Sequence, residues 1–366
     1  MEIPERKFTI ASVLYLILTK NCNYSCKYCP FPLLERNQKE VVMTPEIAQK
    51  GVDLWIEHIK EEPNYKNYSV ILYGGEPLLN INTLKSVVYY IEKLERTKLS
   101  MPLRIMLDTN GSFIDEELAI FLRHHNIEVT VGCDGPKEIN DIYRIDNKGK
   151  GTFTRTKKAI DLLVKNRVKV FASVAIVPES IGKIDNIVQF FQEIGVEKIG
   201  FNILRGRFLR LVHPEIDLER YYEQVARAMI QSFQNRKDKG YEYQMQKRFD
   251  TFNEKHFFPI DCGGYGNQLV IHPDGGISNC PFLLKTFGNV KTVGKNFRIW
   301  NVSVVKEWRK QLPAYNPNCR NCKVADICGG GCPWNALQTE GSLFKIDKAI
   351  CVLNQRIFDT FFQHED

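Results

Sequence analysis

Short apolar runs rich in β-branched residues alternate with segments of helical spacing over the first two thirds of the chain. Parallel strands need a crossover connection, usually a helix, so this alternation predicts an α/β fold with a parallel sheet. The predicted strands are Ser12–Thr19, Tyr68–Tyr73, Leu103–Asp108, Glu128–Gly132, Val168–Val177 and Lys198–Ile203. The predicted helices run from Thr44 to about Lys60, Asn82 to Glu95, Asp115 to His124, Thr152 to Lys165, Ile184 to Ile194 and Asp217 to Asn235. Both a doubly wound sheet and a complete or partial barrel fit this pattern.

Polar and glycine-rich sequence follows several of the predicted strands directly. The segments are Gly74-Gly75-Glu76-Pro77, Thr109-Asn110-Gly111 and Cys133-Asp134-Gly135-Pro136. The carboxyl ends of parallel strands carry the active sites of barrels and the ligand sites of open sheets, so we expect the functional site at this edge. The chain has no GxGxxG segment after the first strand and no GxxxxGK[ST] segment, so the usual nucleotide phosphate loops are not expected.

The composition is that of an ordinary globular protein, with 366 residues, 11 cysteines and a formal net charge of +7. No apolar run approaches the ~20 residues that span a bilayer, and the first residues lack the apolar stretch of a signal peptide. We therefore expect a cytoplasmic protein with no membrane partner, in which clustered cysteines are more often metal ligands or catalysts than disulfides. The positive charge is too mild to indicate a nucleic-acid partner.

Three cysteines lie on the loop after the first predicted strand. Cys22, Cys26 and Cys29 have the spacing C-x3-C-x2-C, and three thiolates this close in sequence can bind three corners of a cluster or of a tetrahedral metal site. No fourth protein ligand is evident nearby, and an open position is what a metal that acts on a bound ligand needs. A structural zinc site completed by a distant residue is the alternative.

This triplet, with Tyr28 before its last cysteine, resembles the signature of radical S-adenosylmethionine (SAM) enzymes. The resemblance implies that the three thiolates bind a [4Fe–4S] cluster, that its fourth iron binds SAM, and that reductive cleavage of SAM yields a 5′-deoxyadenosyl radical. The implied SAM contacts are Gly74, Gly75 and Glu76 at the amino group, Asn110 nearby, Arg144 at the carboxylate or ribose, and Tyr28 beside the adenine. One departure is Gly132, where relatives carry a serine; Cys133 is interpreted as a small buried residue.

Seven further cysteines occupy the last part of the chain, and their spacing resembles the SPASM extension of the same family. The resemblance implies two auxiliary [4Fe–4S] clusters, and hence three clusters in all. One would be closed by Cys319, Cys322, Cys328 and Cys351, and the other bound through only three thiolates, those of Cys262, Cys280 and Cys332. Some relatives have a cysteine where this chain has His256, which either ligates this second cluster or faces solvent. If it faces solvent, the cluster has an open iron that could bind a substrate cysteine thiolate. A zinc ribbon is the alternative, but seven ligands do not fill two tetrahedral zinc sites, which need eight.

The resemblance also implies an architecture and a class of substrate. A partial (β/α)6 barrel would occupy residues 1–235, and the SPASM domain residues 236–366. Such enzymes act mostly on peptides and proteins, with an external flavodoxin-like or ferredoxin-like electron donor. The sulfatase-maturating branch, which oxidises Cys or Ser to formylglycine, carries a general-base aspartate directly after the second cysteine of the extension. Here Pro281 follows Cys280, and proline cannot accept a proton.

We therefore predict a maturase that forms a thioether or carbon–carbon crosslink in a ribosomally made precursor peptide. The alternatives are a sulfatase-maturating enzyme and, in another class, a zinc-structured scaffold or an iron–sulfur electron carrier. About a dozen residues precede the first predicted strand, too few for a fused winged-helix leader-binding domain, so leader recognition is expected on the barrel surface or on a separate protein. Arg205, Arg207 and Arg210 form a predicted basic patch that either holds an acidic peptide or is simply solvated.

Overall fold

The structure is a computed structural model that describes residues 11–29, 31, 41–61, 65, 67–99, 101–255, 259–283 and 285–362. His256 lies outside these ranges, so the prediction that it ligates iron or faces solvent has no structural counterpart here.

Six parallel strands form the centre of the fold. They are β1 (Val13–Thr19), β2 (Ser69–Gly74), β3 (Arg104–Thr109), β4 (Glu128–Gly132), β5 (Val170–Ile176) and β6 (Lys198–Ile203). They lie in the sheet in strict sequence order, each paired in parallel with the next. A doubly wound sheet would reverse its strand order in the middle, so the unreversed order identifies a partial (β/α)6 barrel and confirms the predicted fold class.

Helices connect these strands as the sequence predicted. In the barrel they are α1 (Pro45–Ile59), α2 (Ile81–Thr97), α3 (Glu116–His124), α4 (Lys137–Tyr143), α5 (Phe153–Lys165), α6 (Ile184–Glu193), α7 (Gly206–Val212) and α8 (Leu218–Asn235). The Thr44 side chain accepts a hydrogen bond from Ile47 N, as expected of an N-cap before a first-turn proline. All predicted strand and helix ends lie within two residues of the observed ones. The short helices α4 and α7 were not predicted.

The two faces of the sheet have different chemistry, because successive side chains of a strand point in opposite directions. Leu14 and Leu16 of β1 and Leu107 of β3 are fully buried in the main hydrophobic core, where each stabilises the fold by roughly 1.5–3 kcal/mol. Tyr73 and Asp108 point to the opposite face and stay partly exposed. At the carboxyl ends of β2 and β3, the inner face of the barrel therefore presents an aromatic and a polar side chain.

The C-terminal part extends the same sheet. It contains α9 (Tyr243–Asn253), β7 (Gln268–Ile271), β8 (Ile277–Ser278), α10 (Ser303–Arg309), α11 (Pro333–Glu340) and α12 (Lys348–Phe361). Strand β7 pairs in parallel with β1 and antiparallel with β8, so this part is continuous with the open edge of the barrel. Helix α12 contacts α8, where Arg356 Nε lies 2.9 Å from Glu223 Oε2.

Within the described ranges, none of the helices combines the length and the apolar character that crossing a membrane requires.

Candidate active site

A cavity of about 240 Å³ opens at the carboxyl ends of the barrel strands. Eight of the nine site residues predicted in the N-terminal part line it: Cys22, Cys26, Cys29, Tyr28, Gly74, Gly75, Asn110 and Arg144. The ninth, Glu76, is fully buried behind the wall. The structure thus brings together residues that are more than a hundred positions apart in the sequence.

The cysteine triplet lies in an environment that disfavours charged sulfur unless a cation binds there. Burial raises the pKa of Cys22 to about 11 and that of Cys29 to about 12, so these thiols stay protonated unless a cation lies beside them. The Cys22 sulfur already accepts N–H groups from Tyr24 N at 3.4 Å and from Asn110 Nδ2 at 3.6 Å. Three thiols on one cavity wall, with N–H donors aimed at sulfur, fit an iron–sulfur cluster.

The glycine pair fixes where this cysteine loop runs. Gly75 N donates to Thr19 O at 3.0 Å and Glu76 N to Asn21 O at 2.8 Å, so the end of β2 lies directly against the chain that leads into Cys22. A Cβ atom on Gly75 would lie only 2.3 Å from Asn21 O. The close backbone approach therefore requires glycine.

Glu76 holds the neighbouring strand end. Its carboxylate accepts hydrogen bonds from Thr109 Oγ1 at 2.7 Å, Asn110 N at 2.8 Å and Leu78 N at 3.0 Å. Burial raises its pKa to about 7, against the opposite effect of these donors. These contacts fix the backbone of Asn110, and direct contact of Glu76 with SAM stays a prediction.

Arg144 is anchored beside the triplet. Its Nε lies 3.0 Å from Asp134 Oδ1, and its guanidinium lies 5.7 Å from the centre of the Tyr28 ring. The Tyr28 hydroxyl donates to Asp134 Oδ2 at 2.5 Å. A Cβ on Gly132 would lie 2.7 Å from Arg144 Nη1, so the guanidinium fills the space that a serine side chain would need. The departure at Gly132 thus has a local reason, which is the position of Arg144.

Cys133 is fully buried, and its sulfur lies 3.5 Å from Gly135 O, outside the cavity wall. The structure agrees with the interpretation of this residue as part of the core rather than as a ligand.

One group of C-terminal cysteines lies close to the barrel. Cys262 donates a hydrogen bond that lowers the pKa of Cys332, while burial raises the pKa of Cys280 to about 12, with a further contribution from Cys332. Phe282, two residues after Cys280, reaches the cavity wall. These three thiols therefore form a second group, and the chain just after Cys280 reaches the active-site cavity through Phe282.

The remaining four cysteines form a third group. Cys319, Cys322, Cys328 and Cys351 line a smaller cavity of about 50 Å³. Asn354 Nδ2 donates to Cys328 Sγ at 3.2 Å, and Gln355 Nε2 lies 3.5 Å from Cys351 Sγ. The ten cysteines are thus arranged as three, three and four, and N–H donors again face sulfur.

Among the residues that the structure describes, no group of three or more His, Cys, Asp or Glu side chains is arranged to hold a single metal ion.

The predicted basic patch is smaller than expected. Arg205 is only partly exposed, and its Nη1 lies 2.9 Å from Asp347 Oδ2. The same Asp347 oxygen accepts the Cys332 backbone N–H at 2.9 Å. Arg205 therefore supports the second cysteine group, and the exposed part of the patch consists of Arg207 and Arg210.

The residues of the cavity wall that sequence reasoning missed include Tyr73, Asp108 and Phe282. Strand alternation was the available signal for the first two, because each lies one residue from a buried neighbour and so faces the barrel interior. No signal pointed to Phe282, which reaches the cavity only through the long-range packing of the C-terminal part.

Comparisons with known proteins agree with this architecture. The family model of the radical SAM superfamily matches residues 16–191, and that of SPASM, an iron–sulfur cluster-binding domain, matches residues 262–323. The radical SAM cyclopropyl synthase TigE of Paramaledivibacter caminithermalis is 25% identical, over 96% of this chain and 74% of that protein. The cysteine-type anaerobic sulfatase-maturating enzyme of Clostridium perfringens is 25% identical, over 88% of both chains.

Solved structures show the same fold. Native anSMEcpe with bound AdoMet has a TM-score of 0.77 at 21% identity, covering 95% of this chain and 96% of that one. Streptococcus suis SuiB bound to the precursor peptide SuiA has a TM-score of 0.65 at 14% identity, covering 95% and 78%. The motifs, the partial barrel and the family matches lead to one assignment: residues 16–191 form a domain of the radical SAM superfamily, and residues 262–323 match the SPASM iron–sulfur cluster-binding domain.

Proposed function

We propose that this enzyme is a peptide maturase that closes a thioether or carbon–carbon crosslink within a ribosomally made precursor peptide. The observation that carries this choice is Pro281 directly after Cys280, where the sulfatase-maturating branch has its general-base aspartate. A proline side chain has no atom that can accept a proton. The similarity to TigE, a cyclopropyl synthase by name, supports bond formation as the reaction class.

The cofactors follow from the three cysteine groups. Cys22, Cys26 and Cys29 would bind the [4Fe–4S] cluster that supplies the electron for cleavage of SAM. Tyr28, Gly74, Gly75, Glu76, Asn110 and Arg144 would surround SAM, with the Arg144 guanidinium as the group that suits its carboxylate. The resulting 5′-deoxyadenosyl radical would take a hydrogen atom from the peptide.

The other two groups are proposed to hold auxiliary clusters, one closed by Cys319, Cys322, Cys328 and Cys351. The cluster of Cys262, Cys280 and Cys332 has three protein thiolates, and we propose that a peptide cysteine thiolate binds its fourth iron. Adding peptide should then change the electron paramagnetic resonance spectrum of this cluster. A spectrum that peptide leaves unchanged would exclude this ligand.

The space for the peptide would lie between the first two cysteine groups. Tyr73 supports this position, because burial raises its pKa and both Cys29 of one group and Cys280 of the other lie near enough to raise it further. The aromatic rings of Phe31 and Phe282, 5.6 Å apart, lie alongside. SuiB, which has the same fold, was solved with a precursor peptide bound.

The second candidate function is sulfatase maturation. It is favoured by the similarity to the Clostridium perfringens enzyme and by the segment Asp134-Gly135-Pro136-Lys137, which resembles that branch. The two candidates predict different products. A crosslinked peptide is lighter by two hydrogen atoms, whereas formylglycine formation converts a cysteine or serine side chain to an aldehyde.

The test is anaerobic co-expression of the enzyme with each short peptide encoded beside its gene, followed by intact-mass measurement. Loss of two hydrogens, located to one pair of residues by fragmentation, is the expected result. The triple variant Cys22→Ala, Cys26→Ala, Cys29→Ala should leave the peptide unmodified, while Cys133→Ala, which removes a buried thiol outside the three groups, should still convert it. An aldehyde would support the second candidate, and unmodified peptides throughout would refute the proposal.

A further inference from the structure

Asp108 is the only carboxylate among the described residues that line the active-site cavity. It lies near the carboxyl end of β3, and its neighbours on the adjacent strands are Tyr73 of β2 and Thr130 of β4, which also line the cavity. The pairing of the strands places these three side chains side by side, with Asp108 directly opposite Thr130. The mechanism outlined above gives Asp108 no task.

The surroundings of Asp108 are those of a functional carboxyl group rather than of a structural ion pair. Burial raises its pKa to about 6, and a hydrogen bond from the Thr130 hydroxyl acts in the opposite direction. The titratable groups that face it are the hydroxyls of Tyr15 on β1, Tyr73 on β2 and Tyr243 on α9. No lysine or arginine of the described residues forms a salt bridge with it. A partly buried carboxylate with no cation beside it costs free energy, and such groups are typical of active sites.

Asp108 also lies where the peptide is expected. Burial raises the pKa of Tyr73, and the nearby Asp108, Cys29 of the first cysteine group and Cys280 of the second raise it further. Burial also raises the pKa of Tyr15, with further contributions from Asp108 and Cys280. The carboxylate therefore faces the space between the proposed SAM site and the nearer auxiliary site.

The other carboxylates that the structure describes near the cavity already have hydrogen-bond or ion-pair partners. Asp134 binds Arg144, the Tyr28 hydroxyl and Ala175 N. Glu76 accepts three donors and lies behind the wall. With proline at position 281, Asp108 is the carboxylate among the described residues that can accept a proton from a ligand in this cavity.

We propose that Asp108 is the proton acceptor of the crosslinking reaction and takes the proton from the peptide group that forms the new bond. This role rests on the proposed function. For a thioether, the S–H proton would go to Asp108 when the peptide thiol becomes a thiolate, and the hydrogen atom of a peptide C–H bond would go to the 5′-deoxyadenosyl radical. The carbon–sulfur bond forms, and the one electron left over is accepted by an oxidised iron–sulfur cluster of the SPASM domain.

The test compares wild type with Asp108→Asn on the precursor peptide that the wild-type enzyme converts in the co-expression experiment. The amide keeps the shape of the side chain but cannot accept the proton. We expect crosslinked product to form at least about tenfold more slowly, while 5′-deoxyadenosine continues to form, so their ratio rises. Asp108→Glu should restore part of the rate. Asp161→Asn, which changes an exposed carboxylate paired with Lys157, is the matched control and should behave as wild type.

The pH profile separates proton transfer from a structural role. The carboxylate form is the active one, so wild-type product formation should fall as the pH drops below about 6, and Asp108→Asn should lose this limb. Thr130→Val removes the hydroxyl that stabilises the carboxylate and should move the limb to higher pH, which tests the role even if Asp108→Asn folds poorly.

Two results would overturn the proposal. One is a wild-type rate and pH profile in Asp108→Asn. The other is an equal loss of 5′-deoxyadenosine and product, which indicates only structural damage. If the wild-type enzyme converts no peptide, the proposed function fails and the role of Asp108 fails with it. If the wild-type enzyme and the Asp108→Asn variant are equally active, only the role of Asp108 fails.

Discussion

Gly75→Ala is the substitution whose effect the structure defines most closely. The added methyl carbon would lie 2.3 Å from Asn21 O and 2.5 Å from Lys20 O. Since such contacts become favourable only near about 3.5 Å, the two backbone segments must separate by about 1 Å. This separation breaks the hydrogen bonds from Gly75 N to Thr19 O and from Glu76 N to Asn21 O.

The expected magnitude follows from these contacts. Overpacking costs about 1–3 kcal/mol, and the two hydrogen bonds contribute about 1 kcal/mol each. We therefore expect the variant to lose about 3–5 kcal/mol, either in the free energy of unfolding or in displacement of the loop that begins at Asn21. Because Cys22 follows directly, a displaced loop should fail to hold its cluster, with a loss of about four irons per chain.

The assay is iron quantification with SAM-binding calorimetry and thermal unfolding of the reconstituted protein. Gly182→Ala is the matched control, because a Cβ at that position has nothing within 4 Å. We expect the control to retain wild-type iron, SAM binding and stability. A Gly75→Ala variant with wild-type iron content, SAM affinity and melting temperature would show that the close approach at Gly75 does not shape the cysteine loop.

Three further predictions concern the surroundings of the cysteine groups. Gly132→Ser should displace Arg144 and weaken SAM binding about tenfold or more, through loss of a charge-assisted hydrogen bond, as calorimetry would measure. Cys133→Ala should leave the iron content unchanged, because this buried thiol borders none of the three groups. Arg205→Met should lower the free energy of unfolding in urea by about 3 kcal/mol, because it leaves the buried carboxylate of Asp347 without its cation.

Matched controls make these predictions refutable. Gly294→Ser has nothing within 4 Å of the new Cβ and should bind SAM as wild type, so equal losses in both serine variants would contradict the role given to Gly132. Loss of iron in Cys133→Ala would place that residue among the ligands. Arg207→Met removes an exposed charge two positions from Arg205, and an equal loss of stability there would contradict the importance of the buried pair.

The elements that the sequence predicted well are those defined by local pattern. The apolar runs of the six strands and caps such as Thr44 and Asp115 act over a few residues, so their positions follow from periodicity and hydrogen bonding nearby. The family resemblance carried by the cysteine spacings likewise implied the three groups of cysteines. The alternation of side chains along β3 is sufficient to place Asp108 on the inner face of the barrel.

What the sequence left open depends on contacts between distant segments. The absence of a serine at position 132 was interpretable only once Arg144, twelve positions later, was seen to fill its space. Arg205 was assigned to a surface patch, because nothing local indicates that Asp347 lies beside it. Tertiary packing decides both, and neither composition nor periodicity reports such packing.

The most direct test of the central claim follows a hydrogen atom from the peptide to SAM-derived product. The precursor peptide is prepared with deuterium on the carbons of one amino-acid type at a time, and 5′-deoxyadenosine is recovered after reaction with the reduced enzyme. We predict that one labelled residue type transfers a single deuterium atom to 5′-deoxyadenosine and is the residue found in the crosslink. If 5′-deoxyadenosine carries no deuterium with any labelled residue, the enzyme does not abstract hydrogen from that peptide and the proposed function is wrong.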